Sequence, residues 1–118
     1  MNVTNDNFVE LDMDVFNVLK KIFAERFPDA VASHNKSALN NINAIIAAIE
    51  KGDAAELEGA AHSLKGASGQ FGAVLLSELA RKIEMYSNSN EIDKANEMVQ
   101  DIIEARISVE ALMLKELD

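Results

Sequence analysis

Between its single proline, Pro28, and Gly52, the chain sets Val31, Ala38, Leu39, Ile42, Ile45, Ile46 and Ile49 on one stripe of helical period. Proline suits a first helical turn and glycine a C-terminal cap, so the stripe predicts a helix over 28–50. A helix of that length with one apolar side is unstable in water until other helices cover it. The rest of the chain supplies them. Val15, Phe16, Leu19, Ile22, Phe23 and Phe27 keep i, i+3, i+4 spacing behind Asp12 or Asp14 as cap, which predicts a helix over 13–26. Asp53 with Glu56 three residues on resembles a capping box and opens a helix over 54–70. Val74, Leu75, Leu79, Ile83 and Tyr86 mark one over 73–86, closed by the polar "SNSN" at 87–90. Ala95, Met98, Val99, Ile102, Ala105, Val109, Leu112 and Leu117 share one side of a last helix over 91–117. Short connections make neighbours antiparallel, so the expected fold is all-α: an up-and-down four-helix bundle with an additional short N-terminal helix, one domain spanning 1–118.

Composition narrows the function. The 118 residues are 48% hydrophobic, enough for one core and too few for two domains. A net charge of −9 argues against nucleic acid, which requires a basic face, and against an anionic membrane surface. No cysteine is present, so disulfides, thiolate metal sites and a cysteine nucleophile are excluded, and a reducing cytoplasm is the expected location. The polar N-terminus lacks the apolar core of a secretory signal, so the sequon at Asn2 reads as chance.

Three of the five glycines, Gly66, Gly69 and Gly72, follow His62 within ten residues, inside a helical pattern. At about 100° per residue, Leu57, Ala60, Leu64, Ala67 and Phe71 lie roughly 140–220° from His62 and form the core stripe. His62 therefore points to solvent, and within about 60° of it lie Gly59, Gly66 and Gly69 as well as Lys65. Each interior glycine costs a helix about 1 kcal/mol relative to alanine, so their grouping on one face indicates a surface kept low for a partner. An exposed neutral imidazole is a good nucleophile near pH 7, and the Lys65 ammonium beside it suits the charge of a transferred phosphoryl group. Nothing in the chain resembles a nucleotide-binding loop, so it is expected to be a carrier that does not bind ATP, not an enzyme. Glu58 and His62 at i, i+4 lack a third ligand, and no metal site is expected. His34, in the polar run "SHNKS", reads as a surface residue.

The run "AAHSLKGASGQFGAVLLSELARKIE", Ala60 to Glu84, resembles the motif of histidine-containing phosphotransfer (HPt) domains. In that motif a histidine is followed by leucine, lysine and glycine and, ten residues on, by another glycine, here His62, Leu64, Lys65, Gly66 and Gly72. With the helix count and size, the resemblance covers nearly the whole chain. It implies that His62 takes a phosphoryl group from an aspartate of one receiver domain and passes it to another in a multistep two-component relay. It also implies Lys65 as the stabilising cation and Gly66 as the residue that opens the face. In some members a glutamine or glutamate twenty-two residues after the histidine holds the ring's second nitrogen, and that position is Glu84. Both residues lie about eleven positions, roughly 16 Å of helix rise, from the turn near Gly72, so the geometry of two antiparallel helices permits the contact. The implied partners are receiver domains of a hybrid histidine kinase or response regulator, which hold the Mg²⁺ and supply catalysis; this chain is expected to bind no cofactor and to be a monomer. Ala67 departs from the family, where a hydroxyl residue often follows the Lys-Gly pair, and Ser68 is the nearest substitute.

Over 61–83, Lys65, Arg81 and Lys82 stand against Glu78 alone, a local +2 in an acidic chain. Receiver sites are acidic, so Arg81 and Lys82 join the glycines as expected docking residues. The rival readings are a helical module of the same fold that binds without phosphorylation, and an HPt domain cut from a hybrid kinase. Retention of a nucleophile with its cation favours the carrier, and Met1 with single-domain length favours a free-standing chain.

Overall fold

The computed structural model describes residues 8–117, so the Asn2 sequon lies outside the described residues. Helix α1 runs Met13–Phe23 and is capped by Asp12, whose Oδ1 accepts from the N–H groups of Asp14 and Val15 at 3.0 and 3.3 Å. It does not extend to 26. Ala24 takes a φ of +52°, a 3₁₀ turn covers Ala24–Arg26, and α2 starts at once as Phe27–Lys51. The rings of Phe16 and Phe27, both buried, meet edge to face with centroids 4.9 Å apart and pin the two helices across that bend.

The C-terminus of α2 shows why glycine stands at 52. Gly52 has φ +69°, its N–H donates to Ile49 O at 3.0 Å, and Asp53 N–H donates to Ala48 O at 2.9 Å. This pair of bonds satisfies carbonyls at the helix end and turns the chain into α3, Ala54–Gln70. Only half of the expected capping box forms. Asp53 Oδ1 accepts from Glu56 N–H at 3.0 Å, but the Glu56 carboxylate pairs with Lys51 at 3.1 Å instead of reaching back.

Helix α4 is Val74–Asn88, longer at its end than the 73–86 pattern suggests. The last expected helix is two: α5, Ile92–Asn96, and α6, Val99–Lys115. At the break, Met98 N–H donates to Ala95 O, a tightened i−3 bond at 3.0 Å, and this small turn lets α5 lie against α2 and α4 before α6 closes the bundle on the same two helices. Among the described residues no strand occurs, and no helix is long and apolar enough to cross a membrane.

The four long helices α2, α3, α4 and α6 pack as an antiparallel bundle around Ile42, Ile45, Leu57, Leu64, Leu79, Ile83 and Ile102. The segment before α1 lies across the end that carries the α3–α4 turn: Asp12 N–H donates to Gly72 O at 2.7 Å and Leu75 N–H to Val9 O at 3.0 Å. Some wheel positions shift. The deepest residues of α3 are Leu57, Ala61, Leu64 and Ser68, while Ala60, Ala67 and Phe71 are only partly covered. Ile22, Leu39 and Leu112 are exposed, and Met113 is buried where the stripe places Leu112.

Candidate functional site

Two helices build the site. Gly72, with φ +80°, lets the chain reverse between α3 and α4, and an added Cβ there would stand 2.9 Å from the carbonyl oxygen of Asp12. The reversal sets α3 and α4 side by side in the most extensive helix pair of the fold. Ser77 of α4 ties the pair together, its Oγ donating to the carbonyl of Lys65 at 2.8 Å.

On this seam Glu84 of α4 reaches α3. Its Oε2 lies 2.7 Å from His62 Nδ1, and its Oε1 accepts from Lys65 Nζ at 2.7 Å. The carboxylate side chain is 13% exposed, whereas the His62 side chain is 65% exposed. With the carboxylate as acceptor, the proton sits on Nδ1, and Nε2 is left as the unprotonated nitrogen on the accessible edge of the ring. Lys65, above all, holds the Glu84 carboxyl below its ordinary range; partial burial opposes this and the His62 hydrogen bond adds to it. The site therefore presents a nucleophilic nitrogen, a tautomer fixed by an ionised carboxylate, and a cation a single helical turn away.

The glycines divide. Gly66 and Gly59 have nothing within 4 Å of an added Cβ, so the fold itself leaves both spots open. Gly59 borders a shallow groove between α2 and α3 that Asn41, Ala44 and Ser63 also line. Gly69 is also exposed but lies nearer α4: a Cβ added there would stand 3.4 Å from Ser77 Oγ, an ordinary contact. Arg81 is already committed, forming a two-bond pair with Glu78 at 2.8 and 2.6 Å. That guanidinium is the main reason the Glu78 carboxyl is held low, and Lys82 contributes a smaller electrostatic part. Glu78 is already in the 61–83 count, so its pair with Arg81 leaves the sum at +2; Glu84, one residue past that window and the anchor of the site, lowers it to +1. Ser68 does not replace the family hydroxyl: it is fully buried on the core side, with its Oγ unpartnered.

His34 is not a surface residue. It is 6% exposed, its ring stacks on Phe71 with centroids 4.5 Å apart, and Nδ1 lies 3.2 Å from Asn35 Oδ1. Burial pushes its imidazole below the ordinary range, partly offset by the Asn35 bond, and Nε2 has no partner. The polar neighbours in "SHNKS" mask the signal, which is the spacing: His34 stands three residues after Val31 and four before Ala38, on the apolar stripe of α2. Ser77 escapes a reading of the sequence altogether: a serine on a helix gives no signal of a carbonyl it will meet on another.

A model of the Hpt domain matches residues 31–116, which contain both helices of the site. The chain belongs to the Hpt domain family. In this Hpt domain the matched region starts within α2, so α1 lies outside it. The crystal structure of histidine-containing phosphotransfer protein B (HptB) from Pseudomonas aeruginosa PAO1 resembles the chain with a TM-score of 0.87 at 26% identity, over 91% of this chain and 93% of that one. No curated protein sequence matches significantly. Family and fold agree on a histidine phosphotransfer protein, a carrier of phosphoryl groups.

Proposed function

We propose that His62 is the phosphoryl acceptor of a multistep relay, taking the group from a receiver-domain aspartate and returning it to another. The observation that carries this reading is the exposed His62 ring held through Nδ1 by Glu84 beside Lys65. The Nε2 lone pair attacks phosphorus of the receiver's acyl phosphate; the N–P bond forms as the P–O bond to the aspartate breaks, and the aspartate departs as a carboxylate. The Nδ1 proton stays on the ring, where Glu84 offsets the charge it now carries. Lys65 faces the charge on the phosphoryl oxygens. Return of the group to a second receiver runs the same steps backward. The receiver supplies Mg²⁺ and the acidic residues around its aspartate, and Gly59 and Gly66 leave it room to approach.

Incubation with a phosphorylated receiver domain and Mg²⁺ tests the proposal. Wild type gains acid-labile phosphate and His62→Gln gains none; wild type without label, or equal labelling of both, contradicts it.

A further inference from the structure

Resting on the assignment of His62 as acceptor, we infer that Glu84 is the positioning residue for Lys65, so that the carboxylate and the ammonium serve transfer as one unit. The two oxygens of Glu84 do different jobs. Oε2 takes His62 Nδ1 and Oε1 takes Lys65 Nζ, each at 2.7 Å. Sharing one small carboxylate fixes the ammonium relative to the imidazole ring, although the lysine side chain is long and otherwise free to rotate. The lysine backbone is fixed as well, since Ser77 Oγ bonds its carbonyl at 2.8 Å, and the side chain is only 33% exposed.

An ammonium has three N–H donors, and the one spent on Glu84 leaves two for phosphoryl oxygens. A group arriving at Nε2 therefore meets a cation already in place, without the rotamer ordering that a solvated lysine would require. A glutamine at this position would serve only the ring. Its carbonyl oxygen can accept from Nδ1–H, but it then turns its NH₂ toward Lys65, a donor facing a donor. The carboxylate is what joins the two functions, and this separates them experimentally.

The test compares wild type, E84Q, K65A, E84Q/K65A and E84A in phosphoryl uptake from a phosphorylated receiver domain with Mg²⁺, with helicity checked by circular dichroism and the His62 ring nitrogens read by ¹⁵N NMR. E84Q is expected to keep the wild-type tautomer, with the proton on Nδ1, yet to lower the maximal transfer rate about tenfold, as K65A does, while KM for the receiver changes less than about twofold. The double variant is expected to be no slower than either single one, and E84A to lose the tautomer and fall below all three. Multiplying effects in E84Q/K65A, a wild-type rate in E84Q, or a folded E84Q that takes up no phosphate overturns the inference. Absence of phosphate on wild-type His62 overturns instead the acceptor assignment on which it rests.

Discussion

Gly66 stands at an exposed position of α3 that the packing of the fold does not require to be glycine. No atom of the fold lies within 4 Å of a Cβ added there, so alanine meets no clash and removes a helix-weakening glycine. Gly66→Ala should leave the urea midpoint unchanged or raise stability by up to about 1 kcal/mol. Gly66→Leu should slow phosphoryl uptake from a receiver at equal helicity; normal uptake would show that the open face does not serve docking. His62, Lys65 and Gly66 are legible as a set because they lie within five residues on one helix, where the wheel alone places them. The link of Lys65 to Glu84 is not, since it depends on how two helices turn their side chains toward each other across nineteen residues of sequence.

At the scale of elements, Gly72 explains how those helices come to be neighbours. Its positive φ would strain a residue with a side chain, and the carbonyl of Asp12, 2.9 Å from where a Cβ would stand, leaves no room for one. Gly72→Ala should cost about 2 kcal/mol or more, from left-handed strain and displacement of the N-terminal segment, read as a lower urea midpoint with an unchanged slope. A midpoint equal to wild type would mean that the turn is not held by these contacts. Periodicity locates the four bundle helices because stripes of leucine and isoleucine repeat over several turns. It misses the break between α5 and α6, which has neither glycine nor proline to mark it: one N–H at Met98 takes the carbonyl three residues back, and the apolar pattern runs on across the bend. It also runs α1 into the 3₁₀ turn, because Phe27 continues the stripe of α1 while belonging to α2.

For the molecule as a whole, the buried His34 adds a pH dependence to the acid side of stability. Its folded pKa is lowered from 6.5, so the unfolded chain takes the proton first. Above that value the group adds no pH dependence; as pH falls below it, stability is lost at up to about 1.4 kcal/mol per pH unit until the folded ring is protonated too. Glu84 acts lower. Its depressed carboxyl adds stability that is present above about pH 4.5 and lost as pH falls through its folded value. Urea unfolding of wild type between about pH 6.5 and 5 should therefore show a pH slope of stability that His34→Leu flattens; identical slopes would show that His34 is not the titrating group. In a chain of net charge −9, the seam of α3 and α4 holds the Lys65 ammonium and the His62 ring on one carboxylate.

The most direct measurement on the central claim is the position of the phosphoryl group on the ring. Wild-type protein phosphorylated by a receiver domain, with its histidines labelled by ¹⁵N, should show by ³¹P–¹⁵N coupling a single N–P bond at Nε2 of His62, because Glu84 occupies Nδ1. A bond at Nδ1, or phosphate on His34, would contradict the account.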